Sequence, residues 1–196
     1  MSISTLRTFR FPEGTCISQA QPPLAAVVTT QSPALSVMTD LARVKAATIA
    51  PTLSLREARQ AMIQQGVRLL FVVEQMPCVL GLITSTDLDG DRPMQVIARR
   101  GVRHDDLVVS DVMTELAALD AIDFEALGHS CVADLIETLK LVGRRHLLVV
   151  QKAGLDGPAR VRGVISQAQI ERQLGRSIDA TEIASTFAEI QQALRA

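Results

Sequence analysis

Tryptophan and tyrosine are absent from this chain of 196 residues, and phenylalanine occurs five times. Single-stranded nucleic acid is held on aromatic platforms, so binding of that kind has little to work with here. An excess of one charge is missing too. Twenty Lys and Arg stand against twenty-one Asp and Glu, a net charge of -1. No global field draws the chain to nucleic acid or to an anionic membrane, and any basic site must be local. Cysteine is sparse: Cys16, Cys78 and Cys131 are widely spaced and odd in number. That fits buried thiols in a reducing compartment better than a disulfide framework. No stretch approaches the ~20 apolar residues of a membrane span, and the opening MSISTLRTFRFPEG has no apolar signal core; the expectation is a cytoplasmic protein. His104, His129 and His146 are far apart, with no acid that sequence ties to them, so neither a metal site nor a catalytic triad is signalled. Gly-rich phosphate loops are absent, and "GVRHDD" at 101–106 reads as a solvated linker turn.

What is present is a repeat. "SVMTDLARVKAATIAP" (36–51) has a counterpart in "DVMTELAALDAIDF" (111–124), "GVRLLFVVE" (66–74) in "GRRHLLVVQ" (143–151), and "GLITSTD" (81–87) in "GVISQAQ" (163–169). Three matches in one order make two copies of one unit. In the first copy "ATI" is a short strand, and Ser54 with Glu57 forms a capping box for a helix over 55–65 with Ala58, Met62 and Ile63 as its inner stripe. Gly66 ends that helix, "RLLFVVE" and "VLGLIT" are strands around the turn "QMPC", and a helix starts at Ser85. In the second copy Ser130 caps a helix over 131–142, "RHLLVVQ" and "RVRGVIS" form the hairpin, and "QAQIERQL" closes the unit. Each copy thus reads strand, helix, strand, strand, helix.

Around the copies lie less regular segments. Residues 1–35, with four prolines and no sustained period, read as an irregular wrapping arm. The copies occupy 36–92 and 109–176, joined by a helical linker at 93–108 that starts near Asp91 and Pro93 and ends extended. A last helix over 177–196 is capped by Asp179 and Glu182 and carries Ile183, Phe187, Ile190 and Leu194 on one face.

Two ordered copies of Val-Met-Thr, of a basic strand start at 68 and 145, and of Gly-apolar-apolar-Thr/Ser make the chain resemble the tandem cystathionine-beta-synthase (CBS) domain pair, over roughly residues 36–175. The resemblance implies a mixed α/β (α+β) fold in which two motifs pack around a pseudo-two-fold axis, with clefts that in many such pairs bind adenine nucleotides. It implies a sensor, not an enzyme.

Carried over residue by residue, the resemblance names Thr84 and Asp87 for ribose, Thr48, Ile49 and Ala50 for adenine, and Arg68, Arg145 and His146 for phosphate. Leu69 departs from the basic type that the family uses beside Arg68. Chemistry is consistent with these roles: a carboxylate offers only acceptors and can take ribose hydroxyls, while arginine matches phosphate oxygens in a planar fork. Thr84 and Asp87 also have capping-box spacing, so Asp87 is expected to cap its helix and to hold ribose. Ser166 and Gln169 repeat the box in the second copy, but glutamine brings an intrusive donor, so that site is expected to be the weaker.

The leading expectation is therefore a stand-alone regulatory module. It would sense AMP, ADP or ATP, require no cofactor, form a homodimer and signal to an unidentified effector protein, without nucleic acid or membrane as partner. The alternative is a structural dimerisation scaffold whose ligand site is degenerate, with Gln169 and Leu69 as its support.

Overall fold

The computed structural model describes residues 27–152 and 159–178. Expectations for the first part of the N-terminal arm, for Cys16 and for the C-terminal stripe fall outside the described residues. The chain forms β1 (Met38–Asp40), β2 (Thr48–Ile49), α1 (Leu55–Gln65), β3 (Leu69–Val73), β4 (Val79–Thr84), α2 (Ser85–Asp89), α3 (Arg92–Arg100), α4 (Val109–Val112), β5 (Thr114–Glu115), β6 (Ala121–Asp123), α5 (Phe124–Gly128), α6 (Val132–Val142), β7 (His146–Lys152), β8 (Ala159–Ser166) and α7 (Gln167–Leu174). The repeat is visible as β2-α1-β3-β4-α2 and β6-α5-α6-β7-β8-α7.

Local chemistry sets most of these limits. Ser54 and Glu57 form the expected capping box on α1, and Gly66 closes it at φ 64. Its buried stripe is Leu55, Ala58 and Met62. Ile63 does not belong to it: the side chain is 73% exposed, one position round the helix from Met62 and past the edge of the apolar face. The α6 helix starts one residue later than expected. Cys131 is its N-cap, with its N–H donating to Asp134 Oδ2 at 2.8 Å, while the Ser130 hydroxyl turns back to the Ala126 carbonyl at 2.9 Å. The first α6 amides find partners outside the helix: Val132 and Ala133 N–H donate to the carbonyls of Ser32 and Thr30, both at 2.9 Å. The segment before the first copy therefore wraps the second, and Val28, Ala34 and Val37 are buried with α6. Cys78 is exposed and Cys131 only half-buried, so the expectation of buried thiols fails at Cys78, which sits at the hairpin turn. After α3 the linker coils into a 3-10 turn at His104–Asp106 and then α4 rather than running extended.

Two four-stranded sheets result, with orders β2-β3-β4-β5 and β1-β8-β7-β6. Each sheet borrows its outer strand. The Val-Met-Thr segment that opens the first copy supplies β1, antiparallel to β8 of the second, while the same segment of the second copy supplies β5, antiparallel to β4 of the first. Glycine is what allows both crossings. A Cβ on Gly81 would lie 2.2 Å from the Thr114 carbonyl oxygen, and one on Gly163 would lie 2.5 Å from Met38 Sδ and 2.9 Å from the Thr39 carbonyl oxygen. Backbone this close leaves no room for any side chain.

The core has three compartments. Leu70, Val72 and Ile83 pack beneath α1 and α3. Leu147, Val149 and Ile165 pack beneath α6 and α7. Between the sheets, Leu69, Phe71, Val73 and Leu82 of one meet Leu148 and Val164 of the other. Strand alternation therefore places Thr84, in step with Leu82, and His146, in step with Leu148, on the faces that meet at the seam.

Candidate functional site

A cleft of about 160 Å³ opens at the rim of this seam, lined by Leu82, Thr84, Thr86, Asp87 and Arg92 of the first copy and by Thr114, Leu119, Gly143, Arg144, Arg145 and His146 of the second. It joins the copies. A larger groove of about 520 Å³ lies between the start of α1 and the linker turn, lined in part by Arg56, Arg59, His104 and Asp105. Its arginines are exposed and already paired, Arg59 to Asp89 at 2.6 Å and Arg56 to Asp105 at 3.8 Å. We place the site in the smaller cleft because four residues named from the sequence converge there.

Thr84 ends β4 and is the N-cap of α2. Its N–H and its hydroxyl both donate to Asp87 Oδ2, at 2.8 and 2.7 Å, and its Oγ1 accepts from the Asp87 N–H at 3.3 Å. The expected capping box is formed. The other oxygen, Asp87 Oδ1, stands 3.3 Å from Arg92 Nη1. The Asp87 side chain is 15% exposed, enough to reach the cleft and little enough to be screened only partly.

The opposite wall is cationic. Arg144 donates to the Ala118 carbonyl at 3.1 Å and stands 3.7 Å from Asp120 Oδ2, while Arg145 is exposed at the strand start. His146 is half-buried beside them. Burial pushes its imidazole down to about 4; Asp87 opposes this, and Arg145 and Arg68 add to it by repulsion. At neutral pH the ring is therefore uncharged, a donor and acceptor at once. Leu82 and Leu119 are the apolar side chains of the cleft's lining.

The remaining named residues lie elsewhere. Arg68 is exposed and does not line the cleft, although its charge is felt at His146. Ile49 is buried beneath α1, Thr48 is exposed and pairs with Phe71 across the sheet, and neither they nor Ala50 line the cleft. Ser166 and Gln169 form no capping box. Gln169 Nε2 donates to Gln173 at 2.8 Å, and its Oε1 accepts from Arg172. Gln173 is buried and bonds onward to the Ser36 carbonyl at 3.2 Å. A buried amide demands partners, and Gln169 serves that demand instead of the cap. Sequence reading missed Arg92, Thr114 and Arg144. The signal for Arg92 was a cation at a helix start, where the dipole disfavours it. Among the described residues, no three His, Cys, Asp or Glu side chains converge as metal ligands would. No described helix is long and apolar enough to cross a membrane.

Comparison with known proteins agrees with this architecture. Residues 36–89 match the CBS domain family model. An uncharacterized conserved protein from Pyrococcus horikoshii is 19% identical, with 78% of this chain and 98% of that one aligned at a TM-score of 0.52. A Methanocaldococcus jannaschii protein, proposed as an archaeal homologue of g-AMPK, is also 19% identical, over 71% of this chain and 49% of its own, at 0.52. The CBS domain of a bacterial CNNM/CorC family Mg2+ transporter, solved with the inhibitor IGN95a, is 15% identical over 76% of this chain and 80% of its own, at 0.50. No curated protein matches the chain. At such identities the likeness is one of fold.

Proposed function

Taking the chain as a tandem pair of CBS domains, we propose that it is a regulatory module that binds an adenine nucleotide (AMP, ADP or ATP) in the seam cleft and signals its occupancy to a separate protein. In this reading Thr84 and Asp87 receive the ribose hydroxyls, and Arg145, His146 and Arg144 receive phosphate. The carrying observation is that one cleft brings together a carboxylate of the first copy, two arginines of the second and the apolar Leu82 and Leu119. A ligand with hydroxyls at one end and negative charge at the other matches that polarity. Because it bridges the copies, such a ligand favours one arrangement of them, which a partner can read. The cleft suits a sugar phosphate; at about 160 Å³ it falls below the ~300 Å³ of a typical ligand pocket, so the adenine ring requires the rim to widen. No reaction is assigned to the site, no cofactor is required, and a cytoplasmic homodimer is the proposed working form.

Calorimetry and thermal denaturation with AMP, ADP, ATP and adenosine test the reading. Ligand at a hundredfold excess over Kd adds about 2.7 kcal/mol, a Tm rise of roughly 5–10 °C for a chain of this size. Absence of any shift across the panel overturns nucleotide sensing. It would favour the second reading, a structural scaffold, for which the observation is that Asp87 is already engaged by its own cap and by Arg92. Light scattering that finds a monomer at micromolar concentration overturns the dimer.

A further inference from the structure

Arg92 stands where its own helix does not want it. It is the first residue of α3, at the positive end of the dipole, and Asp91 before it makes no side-chain cap. Its guanidinium instead reaches three elements through one nitrogen. Nη1 donates to the Val112 carbonyl at the end of α4 at 3.0 Å and to Thr114 Oγ1 on β5 at 2.8 Å, and it stands 3.3 Å from Asp87 Oδ1 on α2. A guanidinium NH2 carries two hydrogens, and the two shorter contacts use them. Asp87 Oδ1 is thus neutralised by charge without receiving a hydrogen bond from Arg92. Oδ2, by contrast, is taken up by the N–H and hydroxyl of Thr84. One oxygen of the carboxylate is fixed by the cap, and the other, on a residue that lines the cleft, stands beside Arg92 with no hydrogen bond from it.

We propose that Arg92 is a positioning residue for the ribose site: anchored on the borrowed strand β5, it holds Asp87 Oδ1 in the pose that accepts a sugar hydroxyl, so discrimination for that hydroxyl depends on Arg92. The inference rests on the nucleotide reading above. A neutral hydroxyl can donate to Oδ1 without displacing Arg92, whereas a phosphate oxygen is repelled by the same carboxylate and directed to Arg144 and Arg145. The pair therefore also fixes which end of the ligand lies against the first copy. Thr114 shares the role because it supplies the anchor.

The experiment compares AMP with 2'-deoxy-AMP and 3'-deoxy-AMP by calorimetry on the full chain and on Arg92→Gln, Arg92→Lys, Thr114→Val and the Arg92→Gln/Thr114→Val double variant. Loss of a charged hydrogen bond is worth about tenfold or more in affinity. We expect the wild type to prefer AMP about tenfold over at least one deoxy analogue. Arg92→Gln should weaken AMP about tenfold and cut that preference to about twofold. Thr114→Val should shift the preference the same way, with the double variant no worse than Arg92→Gln alone. Arg92→Lys should recover AMP affinity but not the preference, since lysine brings the charge without the planar geometry. If Arg92→Gln does not fold, Arg92→Lys and Thr114→Val carry the test. A wild type that binds AMP, with the preference unchanged in the variants, overturns the role of Arg92 and leaves nucleotide sensing intact. A wild type that binds none of the three overturns both.

Discussion

Acidification should destabilise this protein through one imidazole. Burial holds His146 down to about 4, against an ordinary value near 6.5. The folded chain therefore refuses a proton that the unfolded chain accepts, and the stability this confers is complete above pH 6.5 and is lost as pH falls toward 4. Linkage between those two values removes about 2 kcal/mol by pH 5 and almost nothing at pH 7; solvent reaching the half-buried ring trims this to about 1–2 kcal/mol. His146→Gln keeps a polar group in place and removes the titration. Urea denaturation of both proteins at pH 7 and pH 5 isolates the term, because every other titratable group is shared. The wild type should lose about 1–2 kcal/mol more than the variant. Equal losses, or an NMR titration of the His146 ring with a midpoint near 6.5, would refute the reasoning. The same neutral ring bears on the ligand: an anionic phosphate beside His146 raises its affinity for a proton, so nucleotide binding near pH 6 should take up protons, seen as a dependence of calorimetric heat on buffer ionisation enthalpy.

Three further outcomes follow from the cleft and the seam. Asp87→Ala should abolish most nucleotide-induced stabilisation while costing about 1 kcal/mol of fold stability through the lost cap; an unchanged AMP titration would remove Asp87 from the site. Calorimetry should give one tight nucleotide site per chain, since Gln169 is held by Gln173 and Arg172; two equivalent sites would contradict this, and Gln169→Asp should strengthen whatever weak second binding exists. Gly81→Ala should cost about 1–3 kcal/mol by forcing β5 off its sheet, whereas Gly128→Ala, where an added Cβ meets nothing within 4 Å, should be neutral or slightly stabilising; similar urea midpoints for the two would show that the strand crossing is not tight.

Local structure was legible in the sequence because its causes are local. Ser54 with Glu57 and Thr84 with Asp87 are three residues apart, and both boxes formed as the spacing implies. The strand at Val79–Thr84 coincides with the run "VLGLIT". Convergence of Thr84 and Asp87 with Arg145 and His146 was legible only through the repeat and the resemblance it carries, since nothing near Asp87 in sequence points to Arg145. What escaped was decided by distant partners. The Val-Met-Thr segments look the same whichever sheet they join, and the one cue was a glycine inside each apolar strand, a sign that another backbone comes close. Ser166 and Gln169 have the letters of a capping box, but Gln173 and Ser36, remote in sequence, decide where the amide points. Ile63 lay one helical step from a stripe that three residues already filled.

The exchange of outer strands has a consequence for how the chain folds and where it can be cut. The sheet β1-β8-β7-β6 is complete only when residues 38–40 meet 159–166; Gln173 likewise bonds to the Ser36 carbonyl across 137 positions of sequence, and closing a loop of that length costs about 4 kcal/mol in chain entropy before any contact offsets it. High contact order of this kind slows folding and makes it a property of the whole chain. An isolated first half would keep β2, α1, β3 and β4 but lose β5, leaving "VLGLIT" as a bare apolar edge ready to pair with a neighbour. Gene fusions or truncations that separate residues 38–40 from 159–166, or 79–84 from 114–115, should therefore yield aggregating fragments, even though the sequence reads as two self-contained copies.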